Sequence, residues 1–124
     1  MLARDEFEQL VAEALDDLPP FFQERIDNVE VVVRRQATPS DRRRAGLPPG
    51  HLLLGLYDGV PLTARTGAYN LVPPDMITLY QRAIEQVAGS DPDAIREQVR
   101  RTVIHELAHH FGIDDDRLRE LGAY

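Results

Sequence analysis

The sequence predicts an α+β fold, with its most informative helix close to the C-terminus. Three observations carry that expectation. Apolar residues recur at helical spacing near both ends of the chain, while β-branched and Gly-interrupted apolar runs lie between them. No repeat, linker or low-complexity segment divides the 124 residues. A chain of this length can bury a core without staples, so residues 1–124 are expected to form a single domain.

Residues 3–18 place Phe7, Leu10, Val11, Ala14, Leu15 and Leu18 on one face, which predicts an amphipathic helix. Pro19 and Pro20 stop it, and "FFQERI" predicts a short second helix. The run "NVEVVVRRQA" (28–37) is β-branched and predicts a strand. Residues 38–50, with Pro39, Gly46, Pro48, Pro49 and Gly50, are expected to be loop.

"HLLLGLYDGVPLTAR" (51–65) carries Asp58-Gly59 between apolar runs, the signal of a tight hairpin. Pro61 limits its second arm to a short or edge strand. Residues 66–75 are expected to be loop, and 76–80 a strand feeding a short helix. Ser90 or Asp91, followed by Pro92, opens the last long helix. It runs to Phe111 with Ile95, Val99, Val103 and Leu107 along one side, and Gly112 offers the left-handed conformation that ends it.

Composition narrows the function classes. The absence of cysteine excludes disulfides and thiolate metal sites. A formal net charge of −7 argues against a nucleic-acid partner, which would need clustered positive charge. All 14 basic residues are arginine. The basic run Arg42-Arg43-Arg44 is expected to be a solvated loop rather than a phosphate or peptide contact. No stretch reaches the roughly 18 apolar residues of a membrane span, and acidic residues interrupt the N-terminal apolar pattern. A cytoplasmic monomer with no membrane partner is expected.

The chemistry concentrates in "HELAHHFGIDDD" (105–116). His105 and His109 lie one helical turn apart, about 5–6 Å between Cβ atoms, so both imidazoles can reach one zinc ion. Glu106 points roughly 100° around the helix and can meet a metal-bound water without ligating the metal. Catalytic zinc takes three protein ligands and one open position. Gly112 lets the chain turn back toward the metal, and Asp114, Asp115 and Asp116 all follow within reach. Asp114 or Asp115 could instead cap a final short helix, and Glu120 is an outside candidate for the third ligand. His110 points away from its neighbour's metal and is expected to be packed or exposed, with a lesser role in orienting Asp115 or substrate. His51 reads as a surface residue. Tyr69, Tyr80, Arg65 and Tyr124 are the conceivable oxyanion stabilisers.

His105, Glu106, His109, Gly112 and Asp115 together read H-E-x-x-H-x-x-G-x-x-D. This resembles the metzincin-like zinc peptidases in which aspartate replaces the third histidine. "LLGLYDGVPLTAR", "ITLYQRAI" and "HELAHHFGIDDDRL" look like the small bacterial minimal zincin, or minimal metalloprotease, family, over roughly residues 30–120. The resemblance implies a small zincin-like domain with a mixed sheet packed on helices and a sheet edge along the cleft. It further implies one zinc ion on His105, His109 and Asp115, with Glu106 as catalytic base. The expected activity is hydrolysis of a peptide or protein substrate. Metzincins place a methionine turn after this motif, whereas none of the residues after Asp115 is methionine. Two other functions compete: a zinc-stabilised, non-catalytic binding or regulatory module, and a metal-dependent endoribonuclease. Glu106 and the acidic charge argue against the endoribonuclease.

Overall fold

The computed structural model describes residues 1–59 and 74–121. Helix α1 (Arg4–Asp16) buries Phe7, Leu10, Val11 and Ala14, the face its sequence spacing predicts. Helix α2 (Pro20–Ile26) follows with proline in its first turn, and strand β1 spans Val29–Arg34. Helix α3 (Pro39–Ala45) precedes strand β2 (Gly55–Asp58). Strand β3 (Asp75–Tyr80) runs directly into helix α4 (Gln81–Ala88). Helices α5 (Pro92–His110) and α6 (Asp115–Glu120) complete the described elements.

Helix α3 overturns the expected 38–50 loop. Thr38 and Asp41 form a reciprocal capping box, Pro39 occupies the first turn, and Gly46 closes the helix at φ 68°. Helix α3 buries no side chain completely, so it carries no apolar stripe to betray it. Its Asp41 accepts bonds from the Thr38 backbone N–H, from Arg44 and from the Tyr80 hydroxyl, which together hold its carboxyl down at about 2 against an ordinary 3.8. A depressed carboxylate pKa stabilises the fold above the unfolded value and loses that contribution as pH falls toward the folded one. Asp41→Asn is therefore expected to lower stability by a constant amount above about pH 5, the gap closing toward pH 2. Denaturant unfolding across that range checks it.

The sheet has the order β1-β3-β2, with β1 parallel and β2 antiparallel to β3. Central β3 separates two clusters, because alternate side chains leave a strand on opposite faces. Ile77 and Leu79 join the main core with α1, α2 and α5, whereas Tyr80 packs with Leu53, Leu56 and Ala83 on the other face. Ile95, Val99, Val103 and Leu107 of α5 are fully buried in the main core. Each such side chain contributes about 1.5–3 kcal/mol relative to exposure. The expected hairpin partner of β2 (60–65) lies outside the described residues, as does nearly all of the expected 66–75 loop, although Asp75 already belongs to β3. Among the described residues β2 pairs with β3, and its other edge carries no strand. No described helix is long and apolar enough to cross a membrane.

Candidate active site

Local signals place α5. The Asp91 side chain accepts from the Asp93 N–H at 3.4 Å, and Pro92 fills the first turn, where its missing N–H has no helical partner to lose. At the other end Gly112 stands at φ 67°. The Ile113 N–H donates to the Ala108 carbonyl at 2.8 Å and the Gly112 N–H to the His109 carbonyl at 3.2 Å. That pair of bonds is a Schellman motif, which reverses the chain immediately after the H-E-x-x-H segment. Asp114 then accepts from the Arg117 N–H at 2.9 Å and caps α6, while Leu118 anchors that helix in the core. The capping role thus falls to Asp114, and Asp115 is the first residue of α6.

His105 and His109 are exposed on the same stretch of α5, with Glu106 half-buried between them. Helix α5 lies against β2, and Gly55 makes this approach possible. A Cβ on Gly55 would stand 2.8 Å from Thr102 Cγ2, 3.3 Å from the Thr78 carbonyl oxygen and 3.5 Å from Glu106 Cγ. Thr102 is buried and its hydroxyl is bonded to the Gln98 carbonyl, so it has little room to yield. Gly55→Ala is expected to cost about 1–3 kcal/mol by overpacking. Thr102→Ser, which removes the clashing methyl, should recover most of that loss in the double variant. Thermal or denaturant unfolding of the four proteins in this cycle checks the coupling.

The Tyr57 backbone N–H donates to Glu106 Oε1 at 3.1 Å, tying the helix carboxylate to the edge of the sheet. The register explains why that N–H is available. The Tyr80 N–H donates to the Leu54 carbonyl, so Leu54, Leu56 and Asp58 turn their polar groups toward β3, and Gly55 and Tyr57 turn theirs outward. Burial raises the Glu106 pKa, opposed by the Tyr57 N–H and by the nearby charge of His109. A carboxylate made more basic by burial is better suited to accepting a proton near neutral pH.

Two hollows meet at this carboxylate. One, of ≈ 410 Å³, follows the outer edge of β2 between α3 and α5, with His109 and His110 on one wall and Ala45, Leu47 and Leu56 on the other. The second, of ≈ 370 Å³, continues along Leu52–Gly55 and is bounded by His105, Gln98 and Thr102. Glu106 and Gly55 line both.

The sequence pattern of the zincin-like metallopeptidases matches residues 26–123, more than three quarters of the chain. This chain belongs to the zincin-like metallopeptidase family. Comparison with curated proteins returned no match. Among the described residues, six helices and a small three-stranded mixed sheet agree with the expected small zincin-like domain.

Zincin-like proteins bind zinc, and two imidazoles one turn apart beside a carboxylate suit its preference for nitrogen and oxygen donors. Among the described residues no three histidine, aspartate or glutamate side chains are gathered as a metal-holding group. His105, Glu106 and His109 share helix α5, and Asp115 stands at the start of α6, just beyond the Gly112 turn. Glu120 sits at the far end of α6, where its carboxylate meets Arg117 at 2.9 Å. Of the conceivable oxyanion stabilisers, Tyr80 is buried against Asp41, and burial followed by that carboxylate raises its phenol pKa. Tyr80 is therefore a core residue. Tyr69, Arg65 and Tyr124 lie outside the described residues.

One cluster in this zincin-like site was not legible in the sequence. The His110 ring stacks on Tyr57, with centroids 4.2 Å apart and planes 15° apart. The Tyr57 hydroxyl donates to Asp75 Oδ2 at 2.6 Å, and His110 Nε2 lies 3.9 Å from the same oxygen. The expectation of a packed or exposed His110 is met, but its partner is the strand that holds Glu106 and not Asp115. His51, the expected surface histidine, is exposed; its carbonyl accepts from Arg42 at 2.6 Å and its N–H donates to the Pro48 carbonyl at 3.3 Å.

Proposed function

We propose that this chain is a zinc-dependent peptidase in which Glu106 is the catalytic base and His105, His109 and Asp115 hold one zinc ion. The observation that carries the reading is the Glu106 carboxylate, seated between two metal-ligand histidines and bonded to the edge-strand N–H of Tyr57. Zinc, when bound, supplies a water acidic enough to lose its proton near neutral pH and polarises the substrate carbonyl. Glu106 accepts that proton and returns it to the leaving amine. The Tyr57 N–H keeps the carboxylate aimed at the groove, and the His110 ring and Asp75 keep Tyr57 in place. An extended peptide enters along β2, where the Gly55 N–H and C=O point outward for main-chain pairing. Only the four residues Phe111–Asp114, turned at Gly112, separate the end of α5 from Asp115.

Zinc removal tests this directly. Purified protein should cleave a mixed peptide pool, lose cleavage on dialysis against a chelator, and regain it with one equivalent of zinc. Cleavage that survives the chelator would refute the reading. A chain that binds zinc and gains thermal stability without cleaving any peptide would instead support the metal-stabilised binding module.

A further inference from the structure

The active-site groove does not end at His105. Leu52 and Leu53, which floor the second hollow, also line a third of ≈ 340 Å³ between α3 and α4. Its other walls are Gln36, Arg42, Arg82 and Gln86, and no carboxylate lines it among the described residues. The two guanidinium groups meet only neutral oxygens there. Arg42 Nη2 donates to the His51 carbonyl at 2.6 Å, and Arg82 Nη1 to Gln36 Oε1 at 3.1 Å. The surrounding sequence is equally one-sided: residues 34–44 hold five arginines and one acid, Asp41, in a chain of net charge −7. Arg44 already serves Asp41 and Asp58, so Arg42 and Arg82 are the pair that faces the hollow without a carboxylate partner.

We propose that Arg42 and Arg82 form a subsite for an acidic residue of the peptide lying along β2, so that the chain selects acidic segments near its cleavage point. The inference rests on the peptide-binding edge proposed above. Leu52 lies three positions before Gly55, about 10 Å of extended chain, so the acidic side chain falls roughly three to five residues from the bond at Glu106. Arginine suits this role because its planar fork meets a carboxylate with two parallel bonds. Leu52, a residue 43% exposed, gives the same stretch of peptide an apolar surface to cover.

The test is binding without turnover, using the full chain carrying Glu106→Gln. Two fluorescein-labelled 12-residue peptides share a central Leu-Leu pair. One carries glutamate at the third to fifth positions on both sides, and the other carries glutamine there. The glutamate peptide should bind about tenfold more tightly at low salt, the gap shrinking as salt screens it. Arg42→Gln with Arg82→Gln should collapse the gap to less than about twofold, and lysine at both positions should restore part of it. A structural defect would weaken both peptides alike, so the ratio isolates the charge. Equal affinity for the two peptides, binding of neither, or a gap that survives the glutamine pair would overturn the proposal. Tighter binding of a 12-nucleotide single strand than of either peptide would also overturn it. Selective binding by a chain whose wild type cleaves nothing would refute the peptidase reading and leave this subsite standing.

Discussion

Glutamine in place of Glu106 is expected to leave zinc bound and to lower kcat for peptide cleavage by roughly 10²–10⁴-fold, the usual contribution of a positioned general base. The substitution keeps the shape of the side chain and its amide oxygen, so the bond from the Tyr57 N–H, 3.1 Å in the parent, can persist. What it removes is proton acceptance. Burial favours the neutral form of this group, so a neutral amide should not destabilise α5, and the unfolding midpoint should hold or rise slightly. Steady-state kinetics with zinc analysis on the same sample separates the two effects. Unchanged kcat with full zinc occupancy would remove Glu106 from the mechanism.

Alanine at His105 or at His109 should abolish zinc binding and cleavage together. Loss of a mere supporting contact to a metal ligand costs about 10–100-fold in metal affinity, and loss of a ligand itself should exceed that. Both side chains are exposed on α5, so neither variant should lose more than a few tenths of a kcal/mol from the metal-free fold. Asp115→Ala should follow them in losing zinc. If Asp115 only opens α6, the variant would instead keep zinc and lose about 0.3–1 kcal/mol of helix-terminus stabilisation. Asp114→Ala is the internal control, because it removes the cap of α6, worth about 1 kcal/mol, without touching a ligand. Competition against a chromophoric zinc chelator measures all four variants on one scale.

The parts of this site that could be read from the sequence are those built by contiguous residues. The start of α5 at Asp91-Pro92, its buried stripe and its end at Gly112 all depend on neighbours within a turn or two, and all are present. The choice between Asp114 and Asp115 as cap was open in the sequence, because both occupy plausible positions. The Asp114 bond to the Arg117 N–H decides it. Helix α3 was missed for a different reason. Its proline and glycine lie at the ends, where they start and stop a helix, and it buries no complete side chain to create an apolar period. The capping pair Thr38 and Asp41 was the available signal.

Non-local pairing could not be read at all. Nothing near Gly55 announces that α5 will pass so close that a single methyl group would strike Thr102. Tyr57 and His110 stack across 53 positions of sequence, and Asp75 joins them only because β2 pairs with β3. The basic pair Arg42 and Arg82 is likewise assembled by folding, since α3 and α4 are separated by both later strands. The arginine run read as a solvated loop is the last turn of a helix, in which Arg42 meets the His51 carbonyl and Arg44 meets Asp41 and Asp58. The histidines and glutamate of α5 were legible because one helix carries them, and the groove along the edge of β2 was not, because it depends on which elements meet there.

The most direct test of the metal site is a crystal structure of the full chain grown with zinc, with the ion located by its anomalous scattering. The account predicts one zinc about 2.0–2.1 Å from an imidazole nitrogen of both His105 and His109 and about 2.0–2.2 Å from a carboxylate oxygen of Asp115, with Glu106 outside the ligand set. Zinc bound elsewhere, or bound at His105 and His109 with Glu106 as its third ligand, would contradict it.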